Sequence, residues 1–252
     1  MQRGVPALLL CAFWLSLPAW PACPFPPRAT PAEVAHVIDG DTLVLSNETR
    51  VRLIGIDAPE LGRDGAPDAP FADEAREAVR ASVDGSAGRV QLLAGRDDRD
   101  RHGRTLAHVY AASGTNLSEL LLRRGLALLS SFPPNLGFLD CYREAELAAR
   151  QAGIGLWRLP PVDAGAAAGH EEGFLRIRGR VRGLDRGQGM TRIRLDGGLR
   201  LRIHEGDRRH FDVSFLEALR DRIVEVRGWL YRYRGQPRMR LRHPSAFVEP
   251  AP

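Results

Sequence analysis

Short runs in which apolar and polar residues alternate, separated by turn signals, divide the chain into two blocks. In the first block, residues 33–38 and 41–45 are β-branched runs on either side of a turn at Gly40, and residues 50–57 resume the pattern after Ser46-Asn47-Glu48. The period changes over residues 71–84, where Phe71, Ala75, Ala78 and Val79 recur at helical spacing among acids and arginines. Residues 90–93 and 106–110 read as strands. Asn116 followed by Glu119 resembles a capping-box start for a helix that Gly125 stops, and residues 140–152 form a second amphipathic helix. Three strands, a helix, two strands and further helices predict a small five-stranded barrel with helices packed outside it.

The second block alternates differently. Arg176, Arg178, Arg180 and Arg182 interleave with Leu175, Ile177, Gly179 and Val181, and the pattern returns as Arg192 and Arg194 around Ile193 and as Arg200 and Arg202 around Leu201. Period two turns the apolar side chains inward and the arginines outward. A short helix around 215–220 and strands near 223–233 and 238–242 repeat the order of three strands, one helix and two strands, a second, smaller barrel of OB type. Residues 159–173 hold Pro160-Pro161, three consecutive alanines and several glycines, a linker composition. The predicted class is mainly β with packed helices (α+β): a five-stranded OB-type barrel over 30–158, a linker over 159–173 and an arginine-rich OB-like barrel over 174–250.

Composition sharpens this division. The 252 residues are 44% hydrophobic and 27% charged, which excludes general disorder and a fibrous repeat, and all 36 basic residues are arginine. Residues 1–170 carry 17 arginines against 20 acids, whereas residues 171–252 carry 19 against 11. One half is mildly acidic and the other strongly basic, so the halves are expected to do different work.

The N-terminus has a targeting pattern. Arg3 precedes a nearly unbroken apolar run over 5–17, too short for the roughly 20 residues that span a bilayer, and small residues Ala19 and Ala22 follow. Residues 1–22 therefore read as a cleavable signal, and the mature protein as exported, periplasmic or secreted. Cys11 would leave with the signal. The remaining Cys23 and Cys141 are an even pair in an oxidising compartment, for which a disulfide is the default. Lipid anchoring at Cys23 is a lesser alternative.

Candidate chemistry concentrates in the first block. Asp39-Gly40-Asp41-Thr42 sits at a tight turn, and Asp57-Ala58-Pro59-Glu60 ends a strand expected beside it. Carboxylates converging from neighbouring strand ends are hard oxygen ligands for calcium or a similar divalent ion. Arg52 and Arg104 frame the set. Carboxylates around a metal, a further glutamate and two arginine forks are the parts phosphodiester cleavage needs.

Residues 37–60, Val-Ile-Asp-Gly-Asp-Thr-Leu-Val-Leu through Val-Arg-Leu-Ile-Gly-Ile-Asp-Ala-Pro-Glu, closely resemble the staphylococcal-nuclease (thermonuclease) family. So do Asp100-Arg101-His102-Gly103-Arg104-Thr105-Leu106-Ala107-His108-Val109-Tyr110 and the ending Gly153-Ile154-Gly155-Leu156-Trp157. The resemblance covers about residues 33–158 and implies a calcium-using barrel nuclease, magnesium being a possible substitute, that hydrolyses DNA and RNA to 3′-phosphate ends. Carried over by position, it makes Asp41, Asp57 and the Ala58 backbone carbonyl metal ligands, with Asp39 just behind them. It makes Glu60 the candidate base acting on water, and Arg52 and Arg104 the groups that bind the phosphate and stabilise the transition state. Arg101, His102 and Phe132 become candidate substrate contacts. Ala58 replaces a hydroxyl residue of the founding enzyme and His102 a tyrosine, and the tyrosines of its nucleotide pocket have no clear match near Ser130-Ser131-Phe132.

The second block has no comparable cluster. Its arginines, with Trp229, Tyr231 and Tyr233 nearby, suit a groove that tracks a phosphate backbone, a solvated basic face being the plain alternative. The expected whole is a monomeric, exported nuclease acting on single-stranded or flexible DNA or RNA. A non-catalytic nucleic-acid or protein-binding module of the same fold is the alternative.

Overall fold

The computed structural model describes residues 23–62 and 64–248. The expected signal over 1–22 lies outside the described residues, the first of which is Cys23.

In chain order the first block contains β1 (Thr30–Val37), β2 (Thr42–Leu45), β3 (Arg50–Leu53), β4 (Ile56–Asp57), α1 (Ala72–Asp84), β5 (Arg89–Arg99), β6 (Thr105–Ala111), α2 (Leu117–Arg123), β7 (Leu128–Leu129) and α3 (Leu139–Gln151). Strands β1-β2-β3-β6-β5 close into a barrel, β3 running parallel to β6 and the other neighbours antiparallel. Leu43, Val51, Leu53, Ala107 and Val109 fill the barrel, and Ala75, Val79, Leu117, Leu121 and Tyr142 bring the helices onto it in one continuous core. Cys23 is bonded to Cys141 with a Cα separation of 5.6 Å, tying the start of the described chain to α3.

The stretch expected as one strand over 50–57 is two. At Gly55 the backbone turns to φ +90, a region that side chains oppose, and a Cβ there would lie 2.3 Å from the Tyr142 ring. The chain therefore leaves the barrel after Leu53, and β4 pairs instead with β7, Ile56 opposite Leu129 and Asp57 opposite Leu128. The capping box is half formed. Asn116 Oδ1 accepts the Glu119 N–H at 3.0 Å, while the Glu119 carboxylate accepts from Cys23 N–H at 2.8 Å and from Arg123 at 2.7 Å.

The second block contains β8 (Val162–Asp163), β9 (Gly173–Gly187), β10 (Met190–Leu195), β11 (Arg200–His204), α4 (Glu205–Arg208), α5 (Val213–Ala218), β12 (Ile223–Tyr233) and β13 (Gln236–Arg240). The strands run β10-β11-β13-β12-β9, and a further pairing of β10 with β9 closes the ring in the same connectivity as the first barrel, with β11 parallel to β13. Ile177, Ile193, Leu199, Leu201, Val226, Leu230 and Met239 form its core.

The stretch read as a linker contains regular structure. Residues 162–163 add β8 alongside β9, and a 3-10 segment at Ala164–Gly169 buries Ala164 and Ala167 completely in the second core. Alanines and glycines serve here because space is short: a Cβ on Gly179 would meet the Ala164 Cβ at 2.4 Å.

Polar contacts join the barrels. Arg227 on β12 and Glu146 on α3, with side chains 5% and 8% exposed, form a buried ion pair. Arg227 also donates to Ser245 O at 2.9 Å, and Ser245 Oγ donates to Ser131 Oγ at 2.8 Å. Arg176 stacks 4.1 Å over Trp157 and donates to Leu156 O at 3.1 Å.

Candidate active site

The turn between β1 and β2 carries Asp39, Gly40 and Asp41. A Cβ at Gly40 would lie 2.7 Å from the Cβ atoms of both Ala58 and Ala75, so glycine is what lets this turn close against α1 and the residue after β4. Asp39 Oδ1 accepts the Asp41 N–H at 2.9 Å, and Asp41 accepts from Thr42 Oγ1 at 3.0 Å and from Ala58 N–H at 2.8 Å. Strand pairing of Thr42 with Arg52 brings β3 alongside. The Arg52 fork then spans two carboxylates, Nη1 to Asp41 Oδ2 at 2.7 Å and Nη2 to Asp57 Oδ1 at 2.7 Å. All of this is mostly withdrawn from water.

The electrostatics follow from that packing. Burial pushes Asp41 up to about 8, with help from Asp39 and Asp57 and against the attraction of Arg52. Burial likewise raises Asp57 to about 6, Glu60 adding to the rise and Arg52 and Arg104 opposing it. For Arg52 burial works downward, but Asp41, Asp57, Asp39 and Glu60 outweigh it and raise the guanidinium above its ordinary value. Glu60 and Arg104 thus act on the same carboxylate in opposite senses.

Arg104 comes from the β5–β6 turn. Asp100 holds it there: Oδ2 accepts from Arg104 Nε at 2.7 Å, and Oδ1 accepts the N–H groups of Arg104 at 3.0 Å and His102 at 2.8 Å. Burial works to raise the Asp100 carboxyl, but these hydrogen bonds prevail and keep it below the usual range. Asp100 was not singled out from sequence; an acid four residues before a candidate phosphate-binding arginine is the signal that could have found it.

The remaining candidates separate. Arg101 and His102 are exposed on that turn, joined by Arg101 Nε donating to His102 Nε2 at 3.0 Å. Phe132 is 50% exposed, with the Arg242 guanidinium of the second barrel 4.9 Å over its ring.

Asp39, Asp41, Asp57 and Glu60 are oxygen donors of the kind a hard divalent ion takes, so by donor chemistry the set suits such an ion, although among the described residues no three of them bring ligand atoms within 4.8 Å of one another. Arg52 contacts one oxygen on each of two of them, Asp41 Oδ2 and Asp57 Oδ1. Among the described residues, the one trio of cysteine, histidine and acidic side chains with ligand atoms within 4.8 Å of one another is Cys23, Glu119 and Cys141. Its thiols are consumed by the disulfide, which leaves no thiolate to bind metal.

Comparisons with known proteins match the first barrel. The family model "Staphylococcal nuclease homologue" matches residues 50–159, so the second barrel lies beyond the match. Thermonuclease of Staphylococcus intermedius is 32% identical over 127 residues, 49% of this chain and 74% of that protein. Thermonuclease of Staphylococcus hyicus is 29% identical over 128 residues, 50% of this chain and 74% of its own length. Endonuclease YncB of Bacillus subtilis is 33% identical over 127 residues, 48% of this chain and 59% of that protein. With the strand order of its first barrel and three-quarters of a thermonuclease aligned, the chain belongs to the staphylococcal nuclease family.

Proposed function

We propose that the protein is an exported, divalent-metal-dependent nuclease that hydrolyses phosphodiester bonds of DNA or RNA and leaves 3′-phosphate ends, with calcium as the favoured ion. The observation that carries this reading is the buried Asp41–Arg52–Asp57 cluster with Glu60 and Arg104 acting on it electrostatically. Export is supported by the Cys23–Cys141 bond, which suits an oxidising compartment. No helix among the described residues is long and apolar enough to cross a membrane.

The residues divide the work. Asp41, Asp57 and the Ala58 carbonyl would hold the ion, which when bound supplies positive charge to the phosphate oxygens. Glu60 orients a water and takes its proton as the water oxygen bonds to phosphorus. The bond from phosphorus to the 5′ oxygen breaks on the opposite side, and water protonates that leaving oxygen. Arg52 and Arg104 donate hydrogen bonds to the charge gathering on the non-bridging oxygens. Both arginines serve as hydrogen-bond donors and not as proton sources, because a guanidinium group stays ionised in proteins.

The deciding experiment measures cleavage of single-stranded DNA and RNA by the oxidised protein in calcium, in magnesium and in chelator, beside Glu60→Gln and Arg104→Ala. Expected is metal-dependent cleavage with 3′-phosphate products, kcat falling about 10²–10³-fold in each variant. A folded protein that cuts neither substrate in any metal would leave a binding module of the same fold.

A further inference from the structure

On the second barrel, registry puts arginine opposite arginine. Strands β10, β11 and β13 lie side by side, and their pairing aligns Arg192 with Arg202 and Arg240, and Arg194 with Arg200 and Arg238. Ile193, Leu201 and Met239 between them are fully buried, so strand alternation turns all six guanidinium groups to the outside. Like charges placed directly opposite across a sheet destabilise it. Carboxylates offset two of them, Asp185 at 3.1 Å from Arg192 and Asp207 at 2.7 Å from Arg240. Among the described residues, Arg194, Arg200, Arg202 and Arg238 have no ion pair. A grid that the protein's own acids leave uncompensated is suited to an external polyanion.

Aromatic rings border the grid. Tyr231 stands opposite Arg238 in the β12–β13 pairing, and the Arg238 guanidinium lies 4.2 Å over the Tyr233 ring. Trp229 and Tyr233 are 47% and 48% exposed. Exposed flat rings beside unpaired arginines match a polymer that carries both phosphates and bases, and a purely acidic polysaccharide would use only the charges.

The grid also leads somewhere. Arg238, Arg240 and Arg242 follow at strand alternation, kept extended by the Leu241 N–H donating to Arg202 O at 2.9 Å, and Arg242 ends over Phe132. Two residues before Phe132, the Ser130 N–H donates to Gly55 O at 2.9 Å, beside the strand that carries Asp57. We propose that this outer face binds a single strand of nucleic acid and that Arg242 and Phe132 pass it across the seam to the Asp41–Asp57 pole. The second clause rests on the nuclease reading; the first does not.

The test uses the oxidised chain in chelator, where no cutting occurs, and follows anisotropy of a fluorescein-labelled thirty-nucleotide oligothymidylate across a salt series. Arg194→Ser/Arg200→Ser/Arg238→Ser is expected to bind at least tenfold more weakly, with the slope of log K against log salt reduced by about 2, the value for three lost phosphate contacts to a single strand. Trp229→Ala, a change at an exposed position that keeps the charges, is expected to lose about fivefold or more in affinity with the slope unchanged. Affinity and slope equal to the parent's in both variants would overturn the proposal, as would alginate competing as well as the oligonucleotide at equal charge. Should the parent bind in chelator yet cut nothing in calcium, the nuclease reading fails and the binding face stands. If it cuts while both variants bind like the parent, the reverse holds.

Discussion

His108, four residues after Arg104 in the same sequence motif, faces away from water and serves the core. Its Nδ1 lies 2.8 Å from Tyr142 Oη, with the Phe138 ring centroid at 4.5 Å. Burial lowers its pKa from 6.5 to about 4. The folded value is the lower one, so the unfolded chain holds more protons between these limits and stability rises with pH there. The contribution is complete above pH 6.5 and disappears as pH falls toward 4, a loss of about 3 kcal/mol. Urea unfolding at pH 7.5 and 4.5 measures it. His108→Gln should remove that part of the acid sensitivity, and an unchanged difference would assign the effect to the carboxylates.

At the level of elements, the placing of Asp57 depends on the break at Gly55. A straight strand from Arg50 would alternate side chains along the barrel wall; the left-handed turn instead sends β4 to β7, where Glu146 Oε1 accepts the Leu129 N–H at 2.8 Å and fixes the partner strand. Gly55→Ala meets both a positive φ and the Tyr142 ring, so a loss of about 2–5 kcal/mol is expected in denaturant unfolding. Gly103 supplies the comparison. Its φ is +77 with nothing within 4 Å of a built Cβ, so Gly103→Ala should cost only about 1 kcal/mol of backbone strain. Equal losses in the two variants would show that packing against Tyr142 contributes nothing.

For the whole molecule, two devices hold distant parts together. The Cys23–Cys141 bond spans 118 residues, and closing so long a loop in the unfolded chain is worth about 5 kcal/mol at most. Reduction should therefore lower the thermal midpoint of the full chain markedly, and a midpoint unaffected by reductant would contradict a stabilising bond. Between the barrels, Arg227 neutralises Glu146, whose other oxygen holds β7 against α3. Removing the arginine would strand a buried charge, so the second barrel is part of the support beneath the strand that carries Asp57.

Sequence alone determined the features written in local pattern. Period-two alternation sufficed for both barrels, because a half-buried strand must put apolar side chains on one face. The two acidic segments at 39–42 and 57–60 and the Arg52 and Arg104 motifs were legible because their spacing is local and their side-chain types are chemically demanding. Tertiary structure decided what depends on contact between distant residues. The bend at Gly55 required the Tyr142 ring, 87 residues away, to occupy the space of a side chain. The 159–173 segment joined the second core because its small residues lie close against Gly179 and Gly197, which no local rule reveals. Alternation showed that the arginines face outward, but only strand registry aligned them into rows, since pairing is set by the closure of the barrel as a whole.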